Sequence, residues 1–328
     1  MSVSTVPDDN EGARPRSGLR ARWDALNDWI KSLLIAFAVL GGLHAFVMRW
    51  VAISSTSMYA TLYPGDLVAV AKWPVWSGFD RGDVVVFRDP MQDDRTMARR
   101  QLLIKRAVGS PGDQVELRNG ELLVNDKSVP AHPTETRSWM VRLGKDMSAD
   151  PLLARMGLPA QPHRADARTL ELPVNIGIAE DLRKRALITG AEPMRTATGS
   201  ALHLFPYSPN FRWNTDNYGP ILVPRKGEEV RINIHNLAMY DRIISRYEGH
   251  RLEVVDNTLM MDGAPLDRYT FQQDYYFVLG DSRHHSADSR YWGFVPADHL
   301  VGRATGVLLS TDPATGSLRS DRWFTGIP

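Results

Sequence analysis

The pattern of apolar and polar positions changes character twice along the chain. From Ser32 to Met48 the run "SLLIAFAVLGGLHAFVM" carries no formal charge for seventeen residues, bounded by Lys31 and Arg49. As a helix it rises roughly 26 Å, near the short end of what spans a bilayer, and Trp29 and Trp50 stand where interfacial aromatics anchor such a segment. A cleaved secretory signal is the competing reading, but the run is long for the apolar part of one. From residue 50 onward short β-branched runs take over, entered through Gly-Asp turns: "YPGDLVAVAKW", "RGDVVVFRDP", "SPGDQVELRNGELLVNDKSV" and "YYFVLGD", joined by "EVRINIH" and "HRLEVVDNTLMMDGAPL". These predict antiparallel strands. The stretches "RNGELLVNDKSV" and "VDNTLMMDGAPL" echo each other as two hairpins, not as a duplicated domain. Between about Thr134 and Phe205 the texture turns to Pro, Arg, Ala and Met, with a helix predicted at "GIAEDLRKRALI". This stretch reads as an insertion.

The expected fold is therefore mainly β: an antiparallel sheet or barrel-like catalytic core with an inserted α+β region, tethered by one N-terminal transmembrane helix. The expected organisation is a disordered tail over 1–28, an anchor over 29–49 and a first part of the β core over 50–131. A second β-rich domain over 132–269, containing the insertion at about 134–205, and the rest of the core with a C-terminal tail over 270–328 complete it.

Composition narrows the partners. With 328 residues and 43% hydrophobic content the chain can bury a sizeable core. Lys plus Arg (39) nearly cancels Asp plus Glu (38), and no basic stripe interleaved with aromatics occurs, which argues against nucleic acid. The absence of Cys excludes disulfides, thiolate metal sites and cysteine nucleophiles. Arg14, Arg16, Arg20, Arg22 and Lys31 precede the apolar run, whereas after Arg49 the next Lys or Arg is Lys72, so the N-terminus is placed in the cytoplasm and the bulk on the exterior side. Trp73 and Trp76 in "KWPVWSGF" fit either a lipid interface or packing in a turn.

Candidate chemistry begins just after the apolar run, where "ISSTSMYATLYPGD" gathers Ser54, Ser55, Thr56 and Ser57. Such hydroxyl clusters ordinarily cap turns. His284 and His285 lie beside Ser286 and Asp288, but triad members are normally brought together from separate segments, and a metal site from His284, His285 and Asp288 lacks a defined ligand spacing. A serine can instead be activated by a neutral lysine. In "QLLIKRAVG" alternation sets Lys105 on one face with Leu103 and Ala107, and Arg106 on the other with Ile104 and Val108. Lys105 either snorkels to water or is buried and loses its proton; the second state costs about 3 to 4 kcal/mol for a shift of about two to three pKa units.

Four blocks in this order resemble the bacterial type I signal peptidases, the membrane-anchored Ser/Lys endopeptidases of protein export: "SSTSMYATLYPGD", "RGDVVVF", "IKRAVGSPGD" and "GDSRHHSADSRYWGFVPADHLVGRA". The last is the most specific, and residues from about 134 to 269 resemble the family only loosely. The resemblance implies Ser57 as nucleophile, Lys105 as general base, Ser55 with the Ser57 amide as oxyanion hole, and Ser286 orienting the lysine amine. Asp281, Asp288 and Arg290 would form supporting ion pairs with Arg106, and Ile53, Met58, Leu62 and Ile104 would line shallow pockets that impose Ala-x-Ala specificity. It implies no cofactor and no metal. The implied partners are signal peptides of exported preproteins, membrane lipid and the export machinery, at the bacterial inner membrane with the catalytic domain outside. Ala60 and Thr56 depart from the proline and glycine common in the motif. Rival readings are a specialised Ser/Lys processing peptidase, a self-cleaving repressor, and an inactive tethered binding protein; the anchor and the lack of a DNA-binding segment weigh against the repressor.

Overall fold

The computed structural model describes residues 18–42, 47–144, 163–199 and 203–328. Residues 1–17 of the expected tail, 43–46 of the apolar run, and 145–162 and 200–202 of the insertion lie outside the described residues. The chain divides into two units, residues 1–48 and 49–328.

In the first unit the helix Asp28–Gly42 covers fifteen residues and buries none of them, leaving Leu33, Leu34, Ile35, Phe37, Val39 and Leu40 exposed. Among the described residues no helix is long and apolar enough to cross a membrane. Of the expected transmembrane span, the described residues form an apolar helix of fifteen residues.

The second unit is built on an antiparallel sheet. Its strands are β1 (Met48–Ala52), β2 (Asp66–Ala71), β3 (Val84–Arg88), β4 (Leu102–Gly109), β5 (Tyr275–Leu279), β6 (Val295–Pro296), β7 (Leu300–Ser310) and β8 (Thr325–Gly326). They lie in the order β1-β2-β7-β3-β4-β5-β6, with β8 against β7. The barrel-like closure expected from the sequence does not form: β6 is two residues long and ends the sheet, so the path stays open. Strand β4 is central, pairing β3 with Lys105 opposite Val85 and β5 with Arg106 opposite Leu279. Its two faces go into different cores. Ile104 packs with Ile53, Met58, Leu62, Val68 and Val86, whereas Ala107 packs with Val85, Phe87 and Val278.

The hairpin signals are realised as tight turns. Asn119-Gly120, Asn125-Asp126, Asp256-Asn257 and Asp262-Gly263 each join two strands through two residues of positive φ, the conformation that matches strand twist and that Asn, Asp and Gly tolerate best. The inserted region forms its own four-stranded sheet, ordered Ile188–Pro193, Arg137–Leu143, Thr169–Val174 and His163–Arg164. The helix expected at Gly177–Ile188 runs from Ile176 to Arg183. The Asn175 side chain caps its start by accepting from the Ile178 amide at 2.8 Å. It stops short because Ile188 is taken into the sheet opposite Leu143. Ala179 and Leu182 face Trp139, Val141, Leu170 and Leu172, a separate small core in which each large side chain contributes about 1.5 to 3 kcal/mol.

Candidate active site

Two anchors fix the turn that carries Ser57. Met58 and Leu62 are wholly buried beneath it, and the amides of Thr61 and Leu62 both bond the Met58 carbonyl at 2.8 Å. Upstream, Ile53 exchanges backbone bonds with Gly65 and Asp66 at the Pro-Gly-Asp turn. The Tyr59–Ala60 peptide within this turn is cis. Across from it, the Ser282 amide donates to the Ser57 carbonyl at 3.1 Å, and Thr136 Oγ1 donates to the Tyr59 carbonyl at 3.0 Å. The turn that carries Ser57 is therefore held by three separate parts of the chain.

Lys105 comes to this turn from β4. Its Nζ lies 2.8 Å from Ser57 Oγ and 2.9 Å from the Ile104 carbonyl, and the residue is 4% exposed. Burial lowers its pKa from 10.5 to about 8, against the upward pull of Asp288 and Asp281. A free amine lone pair in contact with a serine hydroxyl can accept that hydroxyl's proton. Ser55 Oγ lies 3.3 Å from Ser57 Oγ, within hydrogen-bond distance, and the Ser57 amide donates to no acceptor among the described residues.

The supporting charges form two separate buried pairs. Arg106 grips Asp281 through Nε at 2.8 Å and Nη2 at 2.7 Å, while Thr61 Oγ1 donates to the same carboxylate. Arg290 grips Asp288 through Nε and Nη2, both at 2.8 Å, and reaches on to the Thr215 carbonyl at 3.0 Å. Burial pushes both carboxyls up, but the hydrogen bonds and charge of Arg106 and Arg290 overcome it and hold Asp281 and Asp288 below the ordinary range. Asp288 also receives the Gly280 amide at 3.1 Å, which ties the loop to the end of β5.

The structure brings Ser55, Ser57 and Lys105 into direct contact and sets Asp281, Asp288, Arg106 and Arg290 behind them. Ser286 Oγ is directed at the Ala287 carbonyl, 3.3 Å away, and at Asp288; the amine's bonds go to Ser57 and Ile104. Ile53, Met58, Leu62 and Ile104 are all buried in one cluster beneath the turn. His284 and His285 turn away from Ser57: His284 Nε2 lies 2.8 Å from Asp216 and His285 Nε2 lies 3.3 Å from Glu171.

Sequence reasoning missed Gly280, Thr61, Thr134 and Thr136. A Cβ on Gly280 would lie 2.2 Å from Ser286 Oγ and 2.5 Å from the Ser57 carbonyl, so the close approach of these segments needs a glycine. The glycine preceding Asp281 in "VLGDSR" was the available signal. Thr134 and Thr136 sit in a stretch with no local pattern, and only the tertiary fold brings them to Ala60 and Tyr59.

A serine hydroxyl held against a buried amine of lowered pKa is the arrangement of a serine hydrolase, and the family match below makes it a serine endopeptidase. The family model described as signal peptidase, peptidase S26 matches residues 26–159 and 222–309, most of the chain, and the chain belongs to that family. The unmatched residues between those two segments overlap the inserted region. Signal peptidase I of Buchnera aphidicola subsp. Schizaphis graminum is 22% identical over 311 residues, covering 91% of this chain and 78% of that protein. Over shorter stretches, signal peptidase I P of Bacillus subtilis subsp. natto is 34% identical across 101 residues, 30% of this chain and 51% of that protein. Signal peptidase IB of Staphylococcus aureus is 37% identical across 103 residues, 31% of this chain and 50% of that protein.

Proposed function

We propose that the chain cleaves signal peptides from exported preproteins, with Ser57 as nucleophile and Lys105 as general base. The observation that carries this reading is the 2.8 Å contact between Lys105 Nζ and Ser57 Oγ in a buried setting. Neutral Lys105 takes the Ser57 proton as Oγ attacks the scissile carbonyl. The oxyanion that forms is met by the Ser57 amide and Ser55 Oγ, and collapse expels the new amine, which takes its proton from the Lys105 ammonium. Water, deprotonated by the same amine, then releases the acyl group. Ser286 acts at one remove, fixing Asp288 and the wall behind Gly280. Arg106 with Asp281, and Arg290 with Asp288, keep that wall rigid.

Specificity for small residues in an Ala-x-Ala pattern is supported by the packing under Ser57, where Ile53, Met58, Leu62 and Ile104 fill the space a deep pocket would need. Attachment to the inner membrane, with the catalytic part outside, is supported by the uncharged run Ser32–Met48, the Lys/Arg asymmetry about it, and an apolar helix that buries no residue against protein. Trp76, 76% exposed, and Trp73 add apolar surface suited to lipid. The export machinery would deliver the substrate.

The test is cleavage of a preprotein with an Ala-x-Ala site by the full chain in detergent. Ser57→Ala and Lys105→Ala should each abolish processing while leaving the fold intact by circular dichroism. Full activity in either variant would sink the mechanism, and cleavage confined to one narrow substrate would favour the specialised processing peptidase.

A further inference from the structure

A second cluster of charge lies behind the Ser57 turn, where Arg106 and Arg283 follow Lys105 and Ser282 in the chain. A cavity of 160 Å³ is walled by four guanidinium groups, Arg81, Arg106, Arg137 and Arg283, with His132 and one carboxylate, Glu135; neither Ser57 nor Lys105 lines it. Two of the four cations are matched outside the cavity, Arg81 by Asp113 at 3.0 Å and Arg106 by Asp281 at 2.7 Å. The other two share a single carboxylate: Arg137 reaches Glu135 Oε1 at 2.8 Å and Arg283 Nη2 reaches Oε2 at 2.6 Å. Among the described residues the wall thus carries one positive charge without a carboxylate of its own.

Arg283 makes the surplus specific. The residue is 7% exposed, and its Nε and Nη1 are buried with no hydrogen-bond partner among the described residues. Those nitrogens hold three of the five N–H donors of a guanidinium, and buried donors are normally satisfied. Neither nitrogen is in contact with open space in this structure, so a partner reaches them only with a small shift of the side chain; an oxyanion arriving there would satisfy the donors and balance the charge. We propose that this cavity binds one small oxyanion, a phosphate or carboxylate group, with Arg283 as its principal donor and Arg137 and Arg106 supplying the surrounding positive field.

The group need not be a free ion. The cavity shares Val129, Pro130, Ala131, His132, Glu135 and Arg137 with a larger cleft of 580 Å³, whose further walls include Trp139, Ile176 and Pro193 from the inserted region. An acidic group on a larger molecule can enter by that route. The inserted sheet would then have a role in binding, separate from the chemistry at Ser57.

The test uses the full chain in detergent, with thermal unfolding followed in inorganic phosphate or in acetate at ionic strength held constant with sodium chloride. Saturable stabilisation by either anion is expected; a response to phosphate alone assigns a phosphate group, and one to acetate alone a carboxylate. Arg283→Lys keeps a cation beside Glu135 but removes the unpartnered nitrogens, and should weaken the apparent affinity at least tenfold. Arg137→Gln gives the same reading through the neighbouring wall if the first variant fails to fold. Ser57→Ala should bind as the wild type does. No saturable response to either anion in the wild type, or unchanged affinity in a folded Arg283→Lys or Arg137→Gln, would overturn the proposal.

Discussion

Lys105 Nζ and Ser57 Oγ lie 2.8 Å apart although 48 positions separate the two residues in the chain. Strand β4 supplies one and the turn before β2 the other, and the wholly buried Met58 and Leu62 fix the turn against the same core that receives Ile104. The contact is therefore set by packing on both sides, and its chemistry depends on the proton of the amine.

Activity should rise with pH through a midpoint near the lowered pKa of Lys105, about 8, when chemistry limits the rate. The check is kcat/KM from pH 6 to 10 on a preprotein substrate; a flat profile would remove Lys105 as the base.

The same lysine should cost stability. Its folded pKa, about 8, lies below its ordinary 10.5, so the unfolded chain binds more protons between these values and stability rises with pH across that window. Below pH 8 the full cost, about 3 kcal/mol, applies. Lys105→Met, which removes the ionisable group at similar volume, should stabilise the protein by about 2 to 3 kcal/mol at pH 7 in urea titration and abolish cleavage.

Ser55→Ala should lower kcat about 10²- to 10³-fold with KM little changed, because the lost hydroxyl bonds charge that develops only in the transition state. Steady-state kinetics on the Ala-x-Ala substrate provide the measurement. An unchanged kcat would take Ser55 out of the oxyanion hole.

Gly280→Ala should reduce cleavage more than a hundredfold and cost about 1 to 3 kcal/mol of stability, since the added Cβ meets the Ser57 carbonyl at 2.5 Å and must push the Ser57 turn aside. Gly190→Ala, where a Cβ meets nothing within 4 Å, is the control and should leave cleavage unchanged. Both are read by activity and thermal unfolding.

Arg290→Ala should destabilise the protein by about 3 to 5 kcal/mol, because Asp288, 0% exposed, would be left as an uncompensated buried charge. The pH dependence has a definite sign. Asp288 and Asp281 are held below the ordinary carboxylate pKa of 3.8, so their contribution is present above that value and is lost as pH falls below it. Acid titration of the wild type should show this loss. Arg290→Ala should lose the Asp288 share of it.

Much of this site was legible in the sequence because its signals are local. A serine cluster after an apolar run, a lysine within "LLIKRAVG" and the "GDSRHHSADSRYWGF" block each announce themselves within a dozen residues, and alternation with Gly-Asp turns is enough to predict the strands that carry them. The hairpins were equally plain, since Asn, Asp and Gly at two-residue turns encode positive φ directly.

What the sequence could not decide is what depends on neighbours far along the chain. Whether Lys105 is a snorkelling cation or a buried amine turns on Ser57, Asp281 and Asp288 arriving around it, and desolvation is a property of that enclosure, not of the residue. Sheet closure was likewise undetermined, because strand order and the two-residue length of β6 emerge only when all strands compete for partners. The need for glycine at position 280 and the unbalanced charge of Arg283 arise from segments that meet only in the folded state. Local pattern determined the elements and the reactive residue types; long-range packing decided which of those residues lose water and touch.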